Sequence, residues 1–490
     1  MGKKRLIVAC DGTWVDSDNG FQRDSWLPWK TGGSLATPSN VSRLCRALLP
    51  RSDDGIPQIV YYQAGLGSQN NIYSHFIGGY LGSGISENIR EAYAFICSNY
   101  EEGDEIYLVG FSRGAFTARS VGAFIAEVGL LTAVGLDSFY PIFKDWENQV
   151  DTKYKPQYGS SAWPVRRPSF NDPSYMPKLV EAGLTTPNIP IKAIAVWDTV
   201  GTLGVPEIDV LGLKLFDSTH REYSFVNTEV PANLEYAYQA LALDEERKTF
   251  SPTVWESPKP GAPSSLQILK QCWFPGVHSN IGGGYQDTSM ADITLAWMVS
   301  QLQRHLTFNP NYILLQQKQN EKFYVDHNVP VRSWAMGQIW KSDAGVVNTL
   351  TGRQARTPGE YHATDPITGK QLARKLTNTR EFVHPSVRYR IQQHGLGLAT
   401  SDDDPGKGSY NPIALDGWTY CPPGEPWRDK DLHFDESADS WDHCGKWIMQ
   451  RQNGDATFIV EEQVEKGSEE AKLMDAWPGV AEKVLDGDGH

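Results

Sequence analysis

Residues 108–116 read LVGFSRGAF. Apolar residues lead into Ser112, which is fenced by Gly110 and Gly114 and followed directly by Arg113. Gly110 to Gly114 match G-x-S-x-G, the pattern of a nucleophilic serine held on a tight turn between a buried strand and a helix. The surroundings fit that reading. EIYLVG (105–110) is a short apolar run of strand type, and GAFTARSVGAFIAEVGLL (114–131) is a small-residue-rich helix pattern. Glycines suit both flanks because the turn is so tight that side chains there would strike neighbouring backbone. A structural serine in a glycine-rich loop is the competing reading, and the strand before and helix after weigh against it.

Working outward, RLIVAC (5–10), QIVYYQAG (58–65) and IKAIAVW (191–197) are further apolar runs ending in turn residues, and LQILKQCWFPG (266–276) is another. Helix patterns lie between them. SNVSRLCRALLP opens at Ser39 or Asn40 and stops at Pro50, and residues 83–100 carry an apolar stripe at Ile85, Ile89, Ala92, Tyr93 and Ile96. Residues 234–247 and 290–306 complete the predicted helices. Strands alternating with helices predict an α/β fold, with a mainly parallel central sheet and helices on both faces.

The expected organisation is a catalytic domain over 1–310 and a C-terminal extension over 311–490 packed on it. Two insertions, at about 132–190 and 205–233, interrupt the first domain. The earlier one is rich in Tyr, Trp, Pro and Ser and lacks periodicity; so long an insertion is commonly a lid, and both are expected to wall an acyl pocket. The C-terminal end predicts a strand and an acidic helix.

A serine hydroxyl needs a general base within hydrogen-bond reach and a carboxylate to orient that base. In this fold type the chain order is Ser, then Asp or Glu, then His. His278, in CWFPGVHSNIGGGY, follows a strand-like run in a glycine-rich loop, the position such a base needs. His220, His305, His327, His362, His394, His433 and His443 lie in irregular or helical polar segments; His75 precedes the serine and His384 lies far downstream. Asp198 ends the strand after the nucleophile strand and is the candidate acid. Its rival, Asp244, reads as a salt-bridged helix end beside Glu245, Glu246 and Arg247.

The developing oxyanion needs two N–H donors. Arg113, next to the nucleophile, supplies one; the loop after RLIVAC supplies the other from Thr13 or Gly12, with Asp11 capping donors of that loop. Asp11, Trp14, Phe111 and Trp197 flank these positions and are the candidate substrate-contacting residues. ACDGT also resembles the D-x-D-G-T opening of haloacid-dehalogenase phosphatases, but Ala9 stands where their nucleophile should be, so that mechanism falls. NIGGGY (280–285) lacks the G-K-[ST] ending of a phosphate loop, and GGYLGSG (78–84) lacks the strand and spacing of a dinucleotide loop. Ser289 and Asp292 read as a capping box opening the next helix.

The formal net charge of −14 argues against nucleic acid and against a polybasic membrane anchor. The apolar run near the N-terminus is shorter than the roughly 7–15 residues of a signal-peptide core, position 6 is Leu6 where myristoylation wants Ser or Thr, and no stretch approaches the roughly 18 apolar residues of a membrane span. The six cysteines are scattered without a C-x-x-C, which predicts neither a disulfide framework nor a zinc site. The expectation is a cytoplasmic protein without cofactor or metal, acting on an acyl-ester or lipid small molecule and free to touch a membrane transiently, its oligomeric state open.

RLIVACDGTW, VGFSRGAFTAR, AVWDTVG, CWFPGVHSNIGGGY and ADITLAWM, in that order, give the chain a specific likeness over roughly residues 3–310, and FVHPSVRYR (382–390) extends it. It resembles the α/β-hydrolase domains related to the type VI secretion phospholipase effectors of the first lipase family, a group with many fungal members. The resemblance implies a serine hydrolase with Ser112, Asp198 and His278 as its triad, and an esterase or phospholipase activity. Two other readings stay open: an acyltransferase or thioesterase using the same machinery, and a non-catalytic interaction module with a vestigial site.

Overall fold

Four of the apolar runs form strands whose hydrogen bonds order them side by side. They are β1 (Arg5–Cys10), β2 (Gln58–Gln63), β3 (Glu105–Phe111) and β4 (Ile191–Trp197). All run parallel, in the order β2-β1-β3-β4, with Cys10 opposite Gln63 on one side and Gly110 on the other, and Phe111 opposite Trp197. β1 is buried along its whole length, which is why it reads as an unbroken apolar run rather than an alternating one. These coordinates of the chain come from a computed structural model, which describes residues 2–12, 21–23, 33–35, 37–65, 81–200, 209–210, 213–214, 228–342, 352–365, 371–400, 404–423, 444–450 and 456–485. The chain divides into two compact units. The first comprises Met1–Tyr238, Thr249–Leu269 and His362–Asn378; the second comprises Gln239–Lys248, Lys270–Tyr361 and Thr379–His490.

In the first unit, α1 (Asn40–Ala47) starts at Ser39, whose side chain accepts from the Ser42 amide, as the sequence pattern predicted. α2 (Leu81–Asn99) and α3 (Arg113–Val128) bury Ile85, Ile89, Ala92, Ile96, Ala118, Val121, Phe124 and Ile125 in one core with Val8, Leu108 and Ile194. The aromatic stretch expected to act as a lid joins this core instead. Its helices α4 (Phe139–Glu147) and α5 (Tyr175–Glu181) send Phe139, Phe143, Trp146 and Tyr175 inward. The Trp146 ring lies edge-on to Phe124, with centroids 5.1 Å apart. Buried Asp145 locks the stretch, accepting from Arg167 Nε and Nη2 at 2.5 and 2.8 Å and from the Tyr175 hydroxyl at 2.7 Å. Most of the second predicted insertion, 205–233, falls outside the described residues.

Residues 234–247, predicted as a helix, instead form strand β5 (Leu234–Ala242) and a turn. Leu, Ala and Glu favour a helix intrinsically, but that preference is weak and yields to burial on both faces. Tyr236 and Tyr238 give the strand away: two positions apart, their rings stack with centroids 6.4 Å apart, the period of a strand.

In the second unit, β6 (Ile268–Phe274, from Lys270 on), β7 (Glu381–Val383) and β10 (Ala456–Glu461) run parallel, and β8 (Trp418–Cys421) and β9 (Lys446–Gln450) extend the sheet antiparallel. The C-terminal strand and acidic helix are present as β10 and α9 (Glu469–Asp475). α6 (His278–Gly282) and α7 (Ser289–Leu302) follow β6, and α8 (Pro385–Gln392) follows β7. The helix cap read at Ser289 sits one residue earlier: Thr288 is the cap, and its hydroxyl donates to Asp292 at 3.2 Å. A mostly parallel α/β architecture, α/β-hydrolase-like, results.

Candidate active site

In the first unit the strand order reverses between β1 and β3, since the connection from β1 leads to β2 on one side and the chain returns to the other. Such a switch point opens a crevice at the carboxyl ends of the strands. Asp11 and Gly12 leave β1 there, Ser112 leaves β3, and Asp198 leaves β4.

Ser112 has φ 57° and ψ −122°, a backbone conformation that costs a residue with a side chain on the order of 1–3 kcal/mol. The fold holds it there. Its amide donates to the Trp197 carbonyl at 3.1 Å, and its own carbonyl accepts from the Phe116 amide as the first bond of α3. The glycines are steric necessities. A Cβ on Gly110 would lie 2.5 Å from the Gly114 carbonyl oxygen, and one on Gly114 only 2.1 Å from that of Cys10. The chain thus turns sharply into the N-terminus of a helix of 16 residues, where the peptide dipoles favour negative charge. Arg113 is the first helical residue, so its amide belongs to the turn whose N–H groups the helical ladder does not use.

Gly12 approaches the serine closely: a Cβ there would be 3.2 Å from Ser112 Cβ and 2.9 Å from the Phe111 ring. Asp11 anchors its own loop. One carboxylate oxygen accepts from the Gly12 amide at 2.7 Å, and the other from the Ser39 hydroxyl at 2.6 Å and the Tyr62 hydroxyl at 2.7 Å. Phe111 and Trp197 are buried strand ends. Thr13 and Trp14 lie outside the described residues.

Asp198 follows β4 with φ 38° and is fully buried. A second positive φ at the end of the neighbouring strand marks another turn shaped by something other than local preference. Among the sequence-predicted residues, the first unit therefore brings together Asp11, Gly12, Phe111, Ser112, Arg113, Trp197 and Asp198.

His278 belongs to the second unit, buried at the start of α6. Its loop is held by two carboxylates that the sequence reading placed on a helix end. Asp244 Oδ2 accepts from the Gly276 amide at 2.7 Å and from the Tyr410 hydroxyl at 2.7 Å, while the Asp244 amide donates to the Gly276 carbonyl at 3.0 Å. Glu245 Oε2 accepts from the His278 amide at 3.3 Å, and the same carboxylate takes Arg247 Nε and Nη2, each at 2.8 Å. Burial raises the Asp244 pKa to about 6, more than its hydrogen bonds from Tyr410 and Gly276 lower it. Burial pushes Glu245 the same way, but the Arg247 guanidinium, with Arg356 and His278, outweighs it and holds this carboxyl below the usual glutamate range. The signal in the sequence was an acidic pair directly after a strand rather than on a helix.

His384 is a structural histidine of the second unit. Fully buried, it caps α8, accepts from the Ser386 amide and bonds to Glu470. Among the described residues no group of three or more His, Cys, Asp or Glu is arranged to hold a metal ion, and no helix is long and apolar enough to cross a membrane.

Comparison with known proteins adds to this geometry. Residues 4–301 match the family model described as T6SS, phospholipase effector Tle1-like, catalytic domain. A Saccharomyces cerevisiae relative, uncharacterized protein YEL023C, is 28% identical over 282 residues, which is 54% of this chain and 34% of that protein. The chain thus spans about a third of its curated relative's length. Two solved structures are similar at low identity. One is an uncharacterized protein from Pseudomonas aeruginosa (15% identical, TM-score 0.34, covering 64% of this chain and 47% of that one). The other is the Tle1 effector bound to the VgrG spike from the type 6 secretion system (14% identical, TM-score 0.33, covering 78% and 92%). With the family model matched over more than half its length, the chain belongs to the family of T6SS Tle1-like phospholipase effector catalytic domains.

Proposed function

We propose that this protein is a serine hydrolase cleaving carboxylic acyl esters, phospholipids among them, through an acyl-enzyme. Ser112 attacks the ester carbonyl carbon. His278 accepts the hydroxyl proton and passes it to the departing alcohol, while Asp198 orients the imidazole and balances its positive charge. The amide of Arg113 and an amide of the Gly12–Thr13 loop donate to the oxyanion. Water then enters, gives its proton to His278 and releases the acid, restoring the serine.

The observation that carries this reading is the backbone of Ser112. A positive φ on a serine, between two glycines that have no room for a Cβ, is a strained conformation in which a hydroxyl is presented at a strand-to-helix turn. A serine with only a packing role needs no such strain. Family membership supports the phospholipase part of the proposal. Asp11, whose carboxylate accepts from the Gly12 amide and from the Ser39 and Tyr62 hydroxyls, serves the site by fixing Gly12 beside Ser112.

A series of p-nitrophenyl esters of rising chain length, run beside phospholipid vesicles with Ser112→Ala as the blank, tests the proposal. Hydrolysis by the wild type that vanishes in the variant supports it. Equal rates in the two proteins, or none on any ester or phospholipid, contradict it.

A further inference from the structure

We propose that the first unit holds a separate binding site for a carboxylate or phosphate oxyanion carried on a short apolar chain, with Arg119 of α3 as its anchor. A cavity of about 360 Å³ lies beside α3 and β4, lined by Arg119, Ala123, Ala126, Ile194, Val230 and Trp255 among others. Ser112, Asp198 and Gly12 are not among the residues that line it, so the inference stands independently of the proposed triad.

Arg119 is 2% exposed. Its Nη1 donates to the Thr253 carbonyl at 2.5 Å, and the guanidinium carbon lies 4.1 Å from the centre of the Trp255 ring. Nε and Nη2 have no hydrogen-bond partner among the described residues. These two nitrogens share one edge of the guanidinium, the edge that takes a two-oxygen anion side-on. Arg167 of the same unit shows the pairing completed, with Nε and Nη2 on the two oxygens of Asp145. Buried side-chain donors nearly always find partners, and a charged group's donors left unmade inside the protein are costly. Burial also lowers the Arg119 pKa to about 9, so the cation is destabilised where it stands. An oxyanion seated against that edge supplies both missing acceptors and the countercharge.

The rest of the lining identifies what the anion is attached to. Alanine, isoleucine, valine, proline and tryptophan side chains accept hydrocarbon, and the volume lies at the lower end of the range that holds small ligands. Exposed Lys259 adds a second positive charge to the lining. Glu229 and Glu127 also line the cavity, and the Glu127 carboxylate is already engaged, accepting from Trp146 Nε1 at 2.9 Å and Gln149 Nε2 at 3.0 Å.

The test is titration calorimetry on the full chain carrying Ser112→Ala, which removes hydrolysis from the readout. Octanoate, octyl phosphate, octanol and inorganic phosphate are the probes. The site predicts one-to-one binding of octanoate or octyl phosphate, with octanol and inorganic phosphate at least about tenfold weaker. Arg119→Gln should lose the preference for the anion. Ala126→Phe, which fills the cavity and leaves Arg119 on Thr253, should weaken binding at least about tenfold, and it decides the matter if the arginine variant does not fold. Octanol binding as tightly as octanoate, inorganic phosphate as tightly as octyl phosphate, binding indifferent to Ala126→Phe, or no binding of either amphiphile would overturn the proposal.

Discussion

The amide of Ser112 donates to the carbonyl oxygen of Trp197 at 3.1 Å. That bond carries the β3–β4 ladder one residue past Phe111, and it ties the turn holding Ser112 to the strand end from which Asp198 departs. Ser112 and Asp198 both have positive φ. The sheet therefore sets the conformations of the two turns, and it stores strain at each.

The strain at Ser112 is measurable. Ser112→Gly should raise stability by about 1 kcal/mol, the relief of positive-φ strain less the entropy a glycine adds to the unfolded chain, while abolishing ester hydrolysis. Ser112→Ala, which keeps a Cβ, should change stability little. Urea unfolding of the three proteins checks this. A glycine variant less stable than the wild type would mean the turn is not strained.

Gly114 is the opposite case. A Cβ there would meet the Cys10 carbonyl oxygen at 2.1 Å, backbone against backbone, with no side chain to move aside. Gly114→Ala should cost about 3 kcal/mol or more and lower the yield of folded protein. Soluble expression and thermal melting read it out.

Trp146 tests whether the 132–190 stretch is core. Its indole is fully buried against Phe124 and Phe143. Trp146→Ala should cost about 3–5 kcal/mol. A loss under about 1 kcal/mol, with altered ester chain-length preference, would return the stretch to the role of a lid.

Asp244 predicts a pH dependence. Its folded pKa, about 6, lies above the ordinary 3.8. A raised carboxyl pKa means the folded state holds the proton more tightly, so this group's contribution is full below about pH 4 and is lost as pH rises through 6. The loss is on the order of 2–3 kcal/mol. Asp244→Asn cannot titrate, so between pH 4.5 and 7 it should gain stability relative to the wild type in urea unfolding. A difference that does not change with pH would contradict the assignment.

Glu245, which accepts from the His278 amide, should act on catalysis through that histidine. If His278 is the base, Glu245→Gln should lower kcat by about tenfold to a hundredfold, leave KM nearly unchanged and shift the acidic limb of the pH–rate profile. A pure stability loss with an unmoved profile would confine Glu245 to folding.

Much of this was legible in the residues. β1, β3 and β4 were plain because burial on both faces writes an unbroken apolar run, and the turn at Ser112 was plain because only glycine fits at 110 and 114. β5 was not, since its alanines and leucines are favoured in helices and the pairing that overrides them is long-range. The error travelled: with 234–247 taken as a helix, Asp244 and Glu245 became a solvent-side helix end. They are in fact the buried pair that holds the His278 loop. The aromatic stretch misled for a different reason. Within it α4 carries a helical stripe, Phe139, Phe143 and Trp146 packed about Phe124, and that helix is too short to stand out from the irregular chain on either side.

Hydrolysis by the proposed route requires that Ser112 become acylated. The most direct measurement is the mass of the protein, and of its digested peptides, after reaction with a fluorophosphonate. A single adduct is expected on the peptide that contains Ser112, absent in Ser112→Ala and strongly slowed in His278→Ala. A folded wild-type protein that hydrolyses esters yet takes up no label at Ser112 would contradict it.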